Sequence, residues 1–217
     1  PVMITGDHRV TAVAIASEIG LYNPGEKDIT GSELSQISDQ DLFAQVRDYS
    51  VYARVAPEHK VRIVKAWQSQ GQIVAMTGDG VNDAPALKQA DIGISMGITG
   101  TEVAKDASDV VLTDDNFATI VRAVEEGRRI YDNILKAIQF LLSANVGEVL
   151  LIFIASVLNL GNPLSPILIL WINLVTDSLP ALALSMDPAE RGIMTRKPRN
   201  PKKGFFTRGM IWRIFYQ

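Results

Sequence analysis

The segment Ile73-Val-Ala-Met-Thr-Gly-Asp-Gly-Val-Asn-Asp-Ala-Pro85 decides how the first half of the sequence folds. Its apolar run predicts a strand that delivers Asp79 into a tight turn between two glycines, and Asp83 follows where a helix is predicted to begin. Two carboxylates at one strand end suit Mg²⁺, which takes one or two protein carboxylates and completes its octahedron with water and phosphate. The Asn82 amide can donate a hydrogen bond to a phosphate or carboxylate oxygen. The alternative is an aspartate-rich turn that only caps the next helix.

The surrounding residues 1–115 repeat this pattern, in which short apolar runs are followed by amphipathic stretches. Such alternation predicts a parallel α/β sheet, in which functional groups gather in the loops at the carboxyl ends of the strands. The predicted strands are Val2–Ile4, Ser50–Val55, Gln72–Met76, Ile92–Ser95 and Val110–Leu112, and the predicted helices are His8–Glu18, Glu58–Gln70, Ala84–Lys88 and an acidic helix from Glu33 to Arg47.

Two further motifs follow predicted strands of this sheet. Thr5-Gly6-Asp7 precedes a helix, and a hydroxyl, a glycine and backbone N–H groups at a helix start form an anion cradle. Asp7 is also a plausible helix N-cap. The second motif runs from Arg54 to Lys60, where the lysine could place a positive charge on a phosphoryl group or could simply be solvated at a helix start.

The composition changes near Lys136. From Ala137 to Ser185 the only charged residues are Glu148 and Asp177, and this stretch is long enough for two membrane spans at residues 140–160 and 164–186. Gly161-Asn162-Pro163 supplies the turn between them. A buried hairpin of a large soluble protein is the alternative. We expect a helical stalk at 116–139, a basic loop at 187–209 and the start of another membrane helix at 210–217.

Positive charges flank the predicted spans on the same side. Because lysine and arginine are enriched in cytoplasmic segments, both flanks are expected in the cytoplasm of an integral, multi-pass membrane protein. The basic loop could instead bind lipid headgroups or calmodulin. The flanking residues are Arg122, Arg128, Arg129 and Lys136 before the first span, and Arg191, Arg196, Lys197, Arg199, Lys202, Lys203 and Arg208 after the second.

The two isolated acids carry polar neighbours on their own helical faces. Asn145 lies three residues before Glu148, while Asn173 and Thr176 precede Asp177 at helical spacing. An ionisable group inside a membrane span is costly, so both acids are candidates for a functional site. A set of carboxylate, amide and hydroxyl oxygens suits Ca²⁺ better than a soft metal. Interhelical hydrogen bonding and a proton relay are the alternatives.

Composition excludes other classes of function. The net charge of -3 and pI of about 5.4 argue against a nucleic-acid partner. The sequence contains no cysteine, so disulfides, thiolate metal sites and cysteine nucleophiles are excluded. The sequence begins at Pro1 with an apolar run and stops as an apolar segment is starting, so we expect a fragment of a longer protein.

Taken in order, the Thr-Gly-Asp loop, the lysine and Thr77-Gly-Asp-Gly-Val-Asn-Asp83 resemble the haloacid-dehalogenase-like phosphorylation domain of P-type ATPases. The resemblance implies that Thr5 and Gly6 bind the transferred phosphoryl group, that Lys60 neutralises it and that Asp79 holds Mg²⁺. Asn82 and Asp83 would complete the site, and Asp7 and Arg54 would reach ATP. The family phosphorylates an aspartate in Asp-Lys-Thr-Gly-Thr, and this motif is absent from the sequence.

The membrane segments extend the resemblance. Asn145-Val-Gly-Glu-Val149 and Trp171-Ile-Asn-Leu-Val-Thr-Asp-Ser-Leu-Pro180 look like the fifth and sixth membrane helices of sarco/endoplasmic-reticulum-type calcium pumps. That implies a Ca²⁺ site made by Asn145, Glu148, Asn173, Thr176 and Asp177.

As a whole, the chain is expected to be part of an ATP-driven Ca²⁺ pump, inactive alone, with a lipid bilayer and the missing N-terminal domains and membrane helices of the same pump as its partners. A membrane-anchored phosphohydrolase of the same superfamily, a pump for another cation and a passive cation-binding membrane module are the competing hypotheses.

Overall fold

A computed structural model describes residues 1–23, 25–199 and 208–216. The chain divides into two compact units, residues 1–117 and residues 118–217. The predicted Lys202 and Lys203 of the basic loop lie outside the described residues, as does the terminal residue Gln217.

The first unit contains two three-stranded parallel sheets. In one sheet the spatial order is β1 (Met3–Ile4), β3 (Tyr49–Ala53) and β2 (Lys27–Thr30). The other has the order β4, β5, β6, with strands at Ala75–Gly78, Ile92–Met96 and Val110–Leu112. The predicted parallel α/β fold is confirmed. The predicted phosphate motifs follow β1, β3 and β4. Because all strands run parallel within each sheet, these loops lie at the carboxyl ends of the strands, where functional groups gather.

The described residues of the first unit also form six α-helices: α1 Arg9–Glu18, α2 Gly31–Gln36, α3 Asp39–Gln45, α4 Pro57–Ser69, α5 Ala84–Gln89 and α6 Glu102–Asp106. Alanines 12 and 16 of α1 pack on β3, and the largest apolar cluster places Leu34, Leu42 and Ile63 against Tyr52. A second cluster joins α4, α5 and β4 through Val64, Leu87 and Met76.

Two local predictions were wrong, and one strand was missed. The expected acidic helix from Glu33 to Arg47 is two helices, because Ser38 begins a new one by accepting a hydrogen bond from the Asp41 N–H. Strand β2 precedes them and was not predicted. The strand placed at Gln72–Met76 begins at Ala75 and continues through Gly78, since its ladder pairs Ala75 with Ile92 and Gly78 with Ser95.

A groove of about 520 Å³ lies between the two sheets. Val2 and Ile4 of the β1 segment line it together with Val74, Ala75 and Met76 of the β4 segment, and α4 contributes Ile63, Val64 and Trp67. Within the described residues, β1 pairs only with β3 and β4 pairs only with β5. Each sheet therefore presents a strand edge without a ladder partner beside this groove.

The second unit is built from long apolar helices. Helix α7 runs from Phe117 to Val157 without a break, and a second helical segment covers Pro166–Ser185. Both are long and apolar enough to cross a membrane, and their most apolar windows are only 6% buried. The second segment comprises α8 (Pro166–Trp171), a π-helical turn (Ile172–Thr176) and α9 (Ser178–Ser185). Helix α10 spans Arg208–Tyr216.

The segment after α9 is fastened to α7 by hydrogen bonds and ion pairs. Asn133, which is 2% exposed, donates to the carbonyl oxygens of Ser185 and Asp187 at 3.2 and 2.8 Å. Lys136 binds the Asp187 carboxylate at 3.1 Å, and Arg196 pairs with Asp132 at 2.8 Å. Lys136 and Arg196, two of the basic residues that flank the predicted spans, therefore also hold this segment against α7.

Candidate functional site

The buried carboxylate of Asp83 is the centre of the candidate phosphoryl site. Its Oδ1 atom lies 2.5 Å from Lys60 Nζ, and its Oδ2 atom accepts hydrogen bonds from the N–H groups of Asp79 and Gly80 at 3.3 and 3.1 Å. Asp83 is 6% exposed and the Lys60 side chain 15% exposed. A buried charge needs a partner, and this pair supplies one to each residue. Asp83 thus fixes both the lysine and the turn that carries Asp79.

Gly78 explains how Asp83 comes so close to the strand. A Cβ atom at residue 78 would lie 2.4 Å from the Cβ of Asp83, closer than any side chain allows. Asp79 and Asn82, by contrast, are exposed at the turn. In the described part of the chain no three His, Cys, Asp or Glu side chains form a metal cluster. One exposed carboxylate at a strand end still fits Mg²⁺, which keeps most of its ligands as water and phosphate oxygens.

The Thr5–Asp7 loop and Arg54 form the other half of the site. The Thr5 hydroxyl donates to the Asp7 carboxylate at 2.9 Å, and the Arg54 N–H donates to the Asp7 carbonyl at 3.0 Å. Arg54 has φ +49°, in the left-handed region that is uncommon outside glycine. The helix α1 N-cap is His8 rather than Asp7, so the structure does not support the capping alternative for Asp7.

One apolar cluster brings the two halves together. Ile4, next to Thr5, and Val61, next to Lys60, both pack against the apolar cluster that contains Val64 of α4. The structure therefore groups Thr5, Asp7 and Arg54 by hydrogen bonds, groups Lys60, Asp79 and Asp83 likewise, and joins the groups through Ile4. Gly6 and Asn82 lie in the same two loops, both exposed.

Sequence reasoning missed His59, which orders the loop between Arg54 and Lys60. Its Nδ1 accepts the Ala56 N–H at 3.1 Å, and its Nε2 lies 2.8 Å from the Ser35 hydroxyl. Because Nδ1 is an acceptor, Nε2 carries the proton and donates a hydrogen bond to the Ser35 hydroxyl oxygen. The available signal was a histidine three residues after Ala56, where a helix-start side chain can reach back to the backbone.

In the second unit, Glu148 and Asp177 are both drawn into the helix pair. Asn173 Nδ2 donates to Glu148 Oε2 at 3.0 Å and so links the two helical segments. Glu148 Oε1 and Asp177 Oδ2 are buried and accept no hydrogen bond from any described residue. Asp177 is 5% exposed. Buried carboxylate oxygens without a donor are rare in native proteins and demand an explanation such as a bound cation or proton.

Of the other three predicted ligands, Asn173 is the one that a hydrogen bond joins to one of these acids in the described part of the chain. Asn145 donates through Nδ2 to the Leu141 carbonyl at 2.9 Å, and Asn173 also donates to the Ile169 carbonyl, so both amide oxygens remain acceptors. Thr176 is exposed. A π-helical turn over Ile172–Thr176 widens the backbone immediately before Asp177, whose N–H bonds to the Ile172 carbonyl at 2.9 Å. Such turns occur frequently at functional sites.

Both parts of the chain, the α/β unit and the apolar helices, match known protein families. A family model described as haloacid dehalogenase-like hydrolase matches residues 1–91, and one described as cation transporting ATPase, C-terminus, matches residues 161–217. The calcium-transporting ATPase of Bacillus subtilis (strain 168) is 59% identical over 98% of this chain. The chain belongs to the P-type cation-transporting ATPases.

Other P-type ATPases show how far the similarity extends. The human calcium-transporting ATPase type 2C member 1 is 46% identical over 98% of this chain. A crystal structure of a zinc-transporting PIB-type ATPase in the E2.Pi state matches with a TM-score of 0.56 and 28% identity, over 85% of this chain and 24% of that chain. The present chain spans 24% of the Bacillus protein and 23% of the human one, about a quarter of each.

Proposed function

We propose that this P-type ATPase chain is part of a pump that uses ATP to move Ca²⁺ out of the cytoplasm across a lipid bilayer. The observation that carries the proposal is the pair of buried, unpartnered carboxylate oxygens on Glu148 and Asp177. They lie in helices apolar enough to span a membrane, where a carboxylate is retained only for a functional reason. The haloacid-dehalogenase-like unit before them supplies the phosphoryl chemistry.

The phosphoryl site stabilises charge rather than providing a nucleophile. Thr5 and Gly6 bind the transferred group, and Lys60, held by Asp83, neutralises its developing charge. Asp79 would hold Mg²⁺, and the ion would neutralise negative charge on the phosphate. Asp7 and Arg54, which a backbone hydrogen bond joins, would contact ATP. Asn82 donates its amide protons to a phosphate or carboxylate oxygen.

The nucleophilic aspartate comes from a segment of the same pump outside this sequence, which lacks Asp-Lys-Thr-Gly-Thr. The groove between the sheets supports this, because β1 and β4 both present open edges to it. A strand that filled the groove would pair with both sheets and end beside Thr5 and Asp79. The cytoplasmic loops would then assemble one site from two parts of the pump.

Ca²⁺ is the cation best suited to the membrane site. Two carboxylates, the amide oxygens of Asn145 and Asn173 and the Thr176 hydroxyl are all hard oxygen ligands. Ca²⁺ accepts six to eight such ligands in flexible geometry, whereas Mg²⁺ demands a near-ideal octahedron. The π-helical turn gives the second segment the irregular backbone on which such a site depends.

The test is Ca²⁺-dependent phosphorylation of the full-length protein in membranes by radiolabelled ATP. Glu148→Gln and Asp177→Asn are expected to suppress the Ca²⁺-dependent phosphoenzyme, since each removes one charge from the site. Glu125→Gln makes the same chemical change on an exposed position of α7 and should leave it unchanged. Phosphorylation that ignores Ca²⁺ but requires another cation would overturn the calcium assignment, and hydrolysis without a phosphoenzyme would favour a phosphohydrolase.

A further inference from the structure

Asp115 occupies an unusual position between β6 and α7. Its φ is +49°, in the left-handed region where aspartate is tolerated but most residues are strained. The Asp115 N–H donates to the Leu112 carbonyl at 3.2 Å, closing a tight turn at the end of β6. In this conformation the Asp115 side chain meets residues 97–99 of the loop after β5, two residues before α7 begins at Phe117.

The Asp115 carboxylate accepts four hydrogen bonds from one loop. Its Oδ1 accepts the N–H groups of Gly97 and Ile98 at 2.7 and 3.0 Å, and its Oδ2 accepts the N–H and hydroxyl of Thr99, both at 2.8 Å. Bonds from the backbone N–H groups of this loop hold the pKa of Asp115 down, to about 2. One side chain therefore organises the whole turn that follows β5.

That turn leads directly to the candidate Mg²⁺ ligand. The Thr101 N–H donates to the backbone carbonyl of Asp79 at 2.8 Å. The loop from Gly97 to Thr101 packs closely against neighbouring backbone. A Cβ at Gly97 would lie 2.6 Å from the Leu112 carbonyl oxygen, and one at Gly100 would lie 2.0 Å from the Met96 carbonyl oxygen. Asp79 is thus held from two sides, by Asp83 through its N–H and by the Asp115-bound loop through its C=O.

We propose that Asp115 is a positioning residue for phosphoryl transfer, which holds the Gly97–Thr101 loop and through Thr101 fixes Asp79 for Mg²⁺. The inference rests on the proposed function of the Asp79 turn. It assigns a role to a carboxylate that lies outside the three phosphate motifs. Removing an outer partner of a metal ligand commonly lowers metal affinity by about 10- to 100-fold. Because Asp115 acts through a loop, we expect the lower end of that range.

Three variants of the full-length protein separate the carboxylate from the backbone. Asp115→Gly keeps the left-handed conformation and removes all four acceptor bonds, so its effect is that of the carboxylate alone. Asp115→Asn also tolerates this conformation and retains one acceptor oxygen, so it should fall between Asp115→Gly and the natural protein. Asp106→Asn makes the same charge change at an exposed position at the end of α6 and serves as the control.

Two measurements test the proposal. Amide hydrogen exchange without Mg²⁺ should accelerate in Asp115→Gly both at residues 97–101 and at residues 79–83, and less in Asp115→Asn. The free Mg²⁺ concentration for half-maximal phosphorylation by ATP should rise about 10-fold in Asp115→Gly, with the Ca²⁺ dependence unchanged. Asp106→Asn should change neither.

Two results would overturn the proposal. Faster exchange confined to residues 97–101, with an unaltered Mg²⁺ requirement, would show that Asp115 only orders its own loop. Unchanged exchange in both segments would also refute it. If the natural protein forms no Ca²⁺-dependent phosphoenzyme, the proposed function fails, and the exchange at residues 79–83 then decides the positioning role by itself.

Discussion

Replacing Gly78 by alanine is the sharpest test of how the phosphoryl site is built. The added Cβ would lie 2.4 Å from the Cβ and 2.7 Å from the Cγ of Asp83, whereas ordinary contact begins at 3.4 Å. The two groups must therefore separate by about 1 Å, and Asp83 cannot retreat easily because it is 6% exposed. The substitution tests the internal partners of Asp83 without touching an exposed site residue.

The displacement affects all three interactions of Asp83. A shift of about 1 Å breaks the 2.5 Å contact with Lys60 and weakens the bonds from the N–H groups of Asp79 and Gly80. Breaking a buried ion pair costs about 3–5 kcal/mol when one partner is removed, and a displaced partner that recovers some hydration should cost about 3 kcal/mol. For a unit of this size, that loss lowers the unfolding temperature by on the order of 10 °C.

The assay is thermal unfolding of the full-length protein, followed by tryptophan fluorescence, together with phosphorylation by ATP. Gly80→Ala is the matched control, because a Cβ there would lie 3.6 Å from Asp83 Oδ2, an ordinary contact. Its unfolding temperature should stay within about 2 °C of the natural protein. A Gly78→Ala protein that unfolds at the natural temperature and is phosphorylated normally would refute the central role given to Asp83.

Three further predictions concern stability. The pKa of Asp115 is about 2 in the folded protein against an ordinary 3.8, so its contribution to folding stability is complete above pH 3.8 and is lost as pH falls toward 2. Asp115→Asn should therefore make the unfolding temperature depend less on pH over that interval, and an unchanged pH dependence would contradict this. Asn133→Ala removes two buried bonds, costs about 1–3 kcal/mol and should speed proteolysis between residues 186 and 199 at least about 5-fold; equal rates would count against it. Gly127→Ala meets no atom within 4 Å in α7 and should stabilise the helix by about 1 kcal/mol, so a lower unfolding temperature would be the contrary result.

The sequence predicted elements whose signals are local. Asp79 follows a strand because the apolar run and the double glycine are contiguous, and α7 and the segment Pro166–Ser185 are recognisable from length and apolarity alone. The hydrogen bond from Asn173 to Glu148, 25 residues earlier, agrees with interhelical hydrogen bonding, one of the alternatives for the two acids, because both acids carry amide side chains on their own helical faces. Local periodicity and composition sufficed for these features.

The features that sequence reasoning missed depend on contacts across long separations or on backbone detail. Asp83 was placed in the site, but its role as internal partner of Lys60 depends on burial, which the motif does not encode. The π-helical turn before Asp177 has no compositional signal. Asp115 was overlooked because the three residues that donate its four hydrogen bonds lie 16 to 18 residues earlier in the chain.

The groove between the two sheets also bears on how this chain behaves when it is expressed by itself. Among the residues that the structure describes, β1 and β4 each have a ladder partner on one side only, and their other edges lie beside apolar side chains that include Val2, Ile4 and Val74. Any extended peptide can form hydrogen bonds with such an edge, including the same segment of another molecule. Covalently supplying the intervening strand should therefore remove this edge as a template for β-pairing between molecules.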